Sequence, residues 1–309
     1  MKKSLIALAV LASVAGVAQA QSSVQLYGIV DLVIHKDKGV SAAMTSGGVS
    51  SSRWGLKGSE DLGGGLKANF LLEQGFAADA GTVAAGTQFA RQSYVGLSGG
   101  FGEVKLGKMW TAYDDISGAT NPVFDSVLSP TGIWASSGYN ANPANGFYYA
   151  TPTMGGLSGA VSYNLDEVTP AKKNVTSFHV KYEGGPVYAG LAYQTEGDVS
   201  GSNDKKFTRL NGSYDLGVAK ILAGYGKVSM TGTPNVTDLT IGADIPLGSS
   251  LVLSAGYASS KPTGGVKASG FSFGAAYLLS KRTTVYGGLL DTKNGGPDSR
   301  VGFGLKHTF

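Results

Sequence analysis

From Val24 to the last residue, apolar and polar side chains alternate with a period of two, and this alternation most restricts the fold. Val24, Leu26, Gly28, Val30, Leu32 and Ile34 share one face, opposite Gln25, Tyr27 and Asp31. Trp54, Leu56 and Gly58 oppose Arg53, Lys57 and Ser59, and Leu66, Ala68, Phe70 and Leu72 oppose Lys67, Asn69 and Glu73. Successive side chains of a strand point to opposite faces, so such runs predict strands with one apolar and one polar face. Sixteen runs are read, at 24–35, 49–60, 65–77, 86–98, 101–110, 146–151, 156–164, 174–184, 186–196, 205–215, 217–229, 236–245, 249–259, 267–279, 282–292 and 299–309.

The connections alternate in length. Seven are tight, such as 99–100 and 246–248, and eight are longer, at 36–48, 78–85, 111–145, 165–173, 197–204, 230–235, 260–266 and 293–298. Strands of about 9–11 residues cross a bilayer when tilted. Only a closed barrel leaves no strand edge unpaired in lipid, and short turns at one end with longer loops at the other mark bacterial outer-membrane barrels. The expected fold is all-β: a 16-stranded antiparallel transmembrane β-barrel with short periplasmic turns and longer external loops. A soluble β-sandwich also alternates, but it is usually much shorter and does not need so many uniform strands.

The N-terminus has its own logic. Lys2 and Lys3, an apolar stretch over 5–17 and Ala18-Gln19-Ala20 read as a secretory signal peptide spanning 1–20, leaving 21–309 as the barrel. The chain has no cysteine, which excludes disulfides, thiolate metal sites and a catalytic thiol. Without Lys2 and Lys3 there remain 23 basic and 21 acidic residues, a net charge of about +2 that argues for no nucleic-acid partner. The 48 glycines and 15 tyrosines fit a barrel wall, since glycine permits bends and close approach and tyrosine gathers at membrane interfaces.

One segment breaks the pattern. Residues 111–145 show neither a helical period nor steady alternation, and contain Asn121-Pro122, Ser129-Pro130 and Asn142-Pro143. Their only charges are Asp114, Asp115 and Asp125. A structureless stretch of this length inside a domain needs a function. It is expected to fold into the barrel as the third loop and narrow it. Since 16–18 strands leave an aqueous channel, the chain is expected to be a pore.

Several segments resemble the trimeric general porins of Gram-negative bacteria, especially the anion-preferring β-proteobacterial group. They are Val24-Gln25-Leu26-Tyr27-Gly28-Ile29-Val30-Asp31, Ser52-Arg53-Trp54-Gly55-Leu56-Lys57-Gly58-Ser59-Glu60-Asp61-Leu62-Gly63, Arg91-Gln92-Ser93-Tyr94-Val95-Gly96-Leu97 and Phe101-Gly102-Glu103-Val104-Lys105-Leu106-Gly107-Lys108. The last strand, Val301-Gly302-Phe303-Gly304-Leu305-Lys306-His307-Thr308-Phe309, ends in the terminal Phe typical of that family. The resemblance implies a homotrimer in the outer membrane, in contact with its lipid and lipopolysaccharide, passing small hydrophilic solutes and inorganic anions without a cofactor. It also implies an inward third loop whose acidic groups face a basic wall. Arg53 and Arg91 match the wall arginines, and both are expected on the polar face. Tyr148 stands where a further arginine is expected, which weakens the basic cluster and implies a weak-to-moderate anion preference.

Lys57, Lys67, Lys105 and Arg209 also fall on polar faces and could extend a basic track. The alternative for each cation is pairing with a neighbouring carboxylate or a place at the rim. Asp125, deep in the loop, is expected to face the lumen, whereas Asp114 and Asp115 could pin the loop base. A narrow throat with low-dielectric walls focuses such fields and raises the local concentration of the preferred ion, and rings of charged side chains set selectivity.

Three other functions fit parts of the sequence. Gly96-Leu97-Ser98-Gly99-Gly100 matches the G-x-S-x-G pattern of a hydrolase, with His179 or His307 as base. That pattern requires a strand–turn–helix setting, and here a hairpin is predicted. No His/Asp/Glu cluster has metal-ligand spacing. A structural barrel would need no acidic inward loop, and a channel tuned to one small organic anion would share the same wall.

Overall fold

The computed structural model describes residues 23–83, 87–167, 174–197 and 203–309. The expected signal peptide lies outside the described residues. The strands are β1 (Ser23–Asp37), β2 (Ala43–Ser46), β3 (Arg53–Gly63), β4 (Leu66–Gly75), β5 (Gln92–Gly99) and β6 (Gly102–Lys108). After a long loop follow β7 (Gly146–Ala150), β8 (Leu157–Asn164), β9 (Val175–Gly184), β10 (Val187–Glu196), β11 (Lys205–Asp215) and β12 (Lys220–Ser229). The wall is completed by β13 (Val236–Leu247), β14 (Leu251–Pro262), β15 (Ala268–Leu278), β16 (Thr283–Lys293) and β17 (Ser299–Thr308).

Each strand pairs antiparallel with its neighbour, and β1 closes the ring by pairing with β17 from Ile29↔Thr308 to Asp37↔Arg300. The other edge of β1 is shared. Its first half pairs with β3, from Ser23↔Ser59 to Ile29↔Arg53, while residues 32–35 pair with β2. Thus β2 and β3 fill one position, and the ring has the sixteen positions expected. The expected strand at 49–60 starts later, at Arg53, and the expected loop at 36–48 contains β2. The reason is local: residues 47–52 leave the ladder and turn into the barrel.

Alternation sets which face meets lipid. Val24, Leu26, Val95, Leu106, Ile241, Phe271 and Phe303 are exposed on the outside, while Asp31, Ser162, Ser177, Gln194, Asn211, Asp238 and Ser254 are buried inside. This inverts the arrangement of a soluble protein, because the solvent outside is hydrocarbon. The apolar clusters lie inside the ring, where the long loop meets the wall. One joins Tyr113, Ile116, Ala192, Phe207 and Val228; another joins Met109, Ala112, Tyr148 and Ala160.

Candidate functional site

The segment between β6 and β7 lies inside the barrel, with a short helix α1 (Asp114–Ser117) and 3-10 turns at Val123–Asp125, Pro130–Ile133 and Ala135–Ser137. Irregular backbone must find hydrogen-bond partners once it leaves water, and here the inner wall supplies them strand by strand. Ala112 N donates to Ser162 Oγ on β8 at 3.1 Å, and Tyr113 N to Ser177 Oγ on β9 at 3.3 Å. Asn211 Nδ2 on β11 donates to Ile116 O. Thr120 Oγ1 donates to Ala223 O on β12 at 3.0 Å, and Val123 N to Ser254 Oγ on β14 at 2.8 Å. Arg300 Nη1 on β17 reaches Val127 O at 3.3 Å.

Inward glycines let the loop lie close. A Cβ on Gly256 would come 2.2 Å from Pro122 Cγ, and one on Gly274 2.6 Å from Val123 Cγ1. At the tip, Val123, Phe124 and Asp125 have φ of 54°, 62° and 51°, a left-handed turn in which each non-glycine residue carries strain. The wall contacts on Val123 hold that turn in place.

The loop sweeps from β8 to β17, so the inner faces of β3 and β4 remain open opposite it. Here Glu73 receives three groups: Arg91 Nε at 2.8 Å, Arg53 Nε at 3.3 Å and the Tyr27 hydroxyl at 2.8 Å. The Glu73 side chain is 5% exposed, against 23% for Arg53 and 20% for Arg91, so the cations front the carboxylate. Arg91 also stacks over Trp110 at 4.9 Å. Lys57 sits over Tyr27 at 5.1 Å, and Lys105 over Tyr148 at 4.8 Å while it pairs with Glu103 at 2.8 Å. Lys67 lies on the same inward face near the short turns and is exposed.

Arg91 reaches the polar side for a reason that parity does not supply. Within β5, Val95 and Leu97 face outward, so strict alternation would send Arg91 outward too. Instead Gln92 pairs with Glu73, and Arg91 N also donates to Glu73 O at 3.2 Å. Two residues oppose one, and this bulge swings the guanidinium inward.

The structure moves one expected member of the basic track elsewhere. Arg209 is fully buried under the loop, donating to Ser117 O at 2.6 Å and lying over the Trp134 ring at 4.8 Å. It anchors the loop and does not line the lumen. The acidic residues divide as well. Asp114 accepts from the Tyr139 hydroxyl at 2.6 Å and Asp115 from the Tyr148 hydroxyl at 2.7 Å, so both are tied down at the loop base. Asp125 is exposed and accepts from Asn121 Nδ2 at 2.6 Å. Burial pushes the carboxyls of Asp114 and Asp115 up to about 6, opposed by those tyrosine hydrogen bonds.

Glu73 and Arg300 escaped the sequence reading as site residues. Their signal is cross-strand: Gly55↔Glu73 puts Glu73 beside Arg53, and Asp37↔Arg300 pairs an acid with a base. His179 Nδ1 is buried 2.7 Å from Ala112 O, His307 Nδ1 lies 2.9 Å from Thr283 Oγ1 near the turns, and Ser98 accepts from Asn69 on the neighbouring strand β4. No strand–turn–helix surrounds Ser98. Among the described residues no cluster could hold a metal ion.

The family profile described as Gram-negative porin matches residues 7–297. The chain belongs to the Gram-negative porins. This porin is 37% identical to outer membrane porin protein 32 of Delftia acidovorans, over 95% of its own length and 90% of the relative's. It is 29% identical to an outer membrane porin protein of Bordetella pertussis over the full length of both. Among solved structures it is similar to the anion-selective porin from Comamonas acidovorans, with a TM-score of 0.82 and 30% identity over 93% of this chain and all of the other. The porin is an outer-membrane channel of a Gram-negative bacterium, and its inward loop and open arc flank the route through it.

Proposed function

We propose that this porin passes small hydrophilic solutes by passive diffusion with a weak-to-moderate preference for anions, and that Arg53 and Arg91 set the preference. One observation carries the reading: two arginines share the single carboxylate of Glu73, so this cluster keeps a net positive charge on the wall the loop leaves open. Arginine suits the role because it stays charged in a low-dielectric ring. Lys57 and Lys105 add to that side, while Asp125, Asp114 and Asp115 supply the opposing charge on the loop. The similarity to an anion-selective porin points the same way. Reversal potential across a KCl gradient in a planar bilayer tests this: a chloride-directed potential supports it, and a potassium-directed one overturns it.

The same reading includes export through a leader at 1–20, assembly as a homotrimer and no enzymatic role. The outer faces of β1 and β17 are rich in small and apolar residues, including Val24, Leu26, Gly28, Val301 and Phe303, which suits subunit contact. Lipopolysaccharide contact is proposed for the long-loop rim of the arc from β11 to β16. Lys206, Lys227, Lys261 and Lys293 face outward at the long-loop ends of β11, β12, β14 and β16, with Lys227 and Lys261 flanking Thr237. Lys267 lies 5.5 Å over the outward ring of Tyr257. Such cations match headgroup phosphates at the outer surface.

A further inference from the structure

Asp31 lies in the middle of β1 with its carboxylate turned inward and fully buried. Oδ2 accepts from Val49 N at 2.9 Å and Ser50 N at 2.7 Å, and Oδ1 accepts from Gly48 N at 3.3 Å and from the Tyr286 hydroxyl. Ser52 Oγ closes the group, bonding Asp31 N at 3.0 Å and Asp31 O at 3.1 Å. One carboxylate therefore folds residues 47–52 into the barrel. A buried carboxylate is suited to this, since it is acceptor-only and offers about four lone-pair sites.

Tyr286 belongs to β16 and reaches Asp31 by crossing β17, which is possible because Gly304 has no side chain. A Cβ there would lie 2.2 Å from Tyr286 Cζ. The folded segment then meets the constriction loop. Gly48 O accepts from Val127 N at 2.8 Å, and Val49, Phe124 and Val127 all pack against one cluster of Val33, Ala276 and Tyr286. The tip is held from its other side by Arg300, which Asp37 fixes through bonds of 2.6 and 2.8 Å.

We propose that Asp31 is the positioning residue for the channel aperture: it holds residues 47–52 as a ledge on which the tip of the constriction loop rests. Asp31 touches no solute and acts through Gly48 and Val127. The inference rests on the channel itself and not on the proposed ion preference, so loss of anion selectivity would leave it standing.

The test compares Asp31→Asn and Tyr286→Phe with the native porin, using Arg282→Gln in a short turn as a control. Single-channel recordings give open-channel noise and sublevels, and hydrogen exchange reports the amide of Val127. The asparagine variant turns an NH2 toward backbone donors, and the phenylalanine variant removes one hydroxyl without changing charge. Both are expected to raise the noise, add sublevels and speed Val127 exchange about fivefold or more, as loss of a buried hydrogen bond would. The control should match the native protein. If Asp31→Asn does not assemble, Tyr286→Phe decides alone. A folded Tyr286→Phe porin with native noise, native conductance and unchanged Val127 exchange overturns the proposal, even if its melting temperature falls.

Discussion

The Tyr148 hydroxyl donates a 2.7 Å hydrogen bond to the Asp115 carboxylate, tying β7 to α1 across the base of the constriction loop. The residue that stands where a wall arginine is expected thus pins the loop. Replacing it should change both jobs. Tyr148→Arg is expected to place a cation beside Asp115 and raise the chloride-to-potassium permeability ratio about two- to fivefold, the size expected for one added charge near a screened throat. Reversal potentials in a KCl gradient check this, and a shift toward potassium would refute it.

Glu73 offers the opposite lever. Glu73→Gln leaves Arg53 and Arg91 unneutralised and is expected to increase anion preference, with open-channel noise rising because both guanidinium groups lose their holder. Arg53→Ala combined with Arg91→Ala should move the preference toward cations by roughly threefold or more and widen the throat. Unchanged ion preference in the double variant would sink the assignment of these arginines.

The loop carboxylates make selectivity depend on pH. Burial raises Asp114 and Asp115 to about 6, although Asp115 keeps 31% of its side chain exposed and lumen water tempers its shift. As pH falls from 7.5 to 5 both take up protons and the loop loses negative charge. Anion preference is therefore expected to rise toward pH 5, with its midpoint near 6. Titrating the reversal potential of the native porin and of Asp114→Asn with Asp115→Asn checks the sign, because the double variant should give a flatter curve.

Arg209 predicts a loss of order and not of charge in the throat. Arg209→Met leaves the Ser117 carbonyl without its donor and removes the cation that lies over Trp134. Removing a buried hydrogen-bonding partner costs roughly 1–3 kcal/mol. Faster proteolysis within 111–145 and a lower unfolding temperature in detergent are the expected results. Native protease resistance would show that the loop is held without it.

Much of this was legible because a membrane wall must alternate. Val24, Leu26 and Phe303 face lipid and Asp31, Lys57 and Glu73 face inward as their positions predict, and all sixteen wall positions follow. What failed to show depends on partners far apart in the chain. Residues 49–52 look like the start of a strand until Asp31 captures the amides of Gly48, Val49 and Ser50. Arg91 points to the polar face as expected, but the alternation of Val95 and Leu97 would send it outward, and the bulge beside Glu73 is what turns it inward. Arg209 reads as an exposed cation because its burial comes from a loop whose path no local pattern encodes.

The inward glycines beneath that loop set the width of the passage from behind. Gly242, Gly256 and Gly274 bring the wall backbone within reach of Pro122 and Val123, at places where a single methyl would collide. Alanine at any of them would act as a shim, lifting the loop away from the wall by a fraction of an ångström into the stream of solute. The bore is thus calibrated by atoms that never touch what flows through it, and graded calibres could be made by filling those hollows without altering a lumen-facing charge.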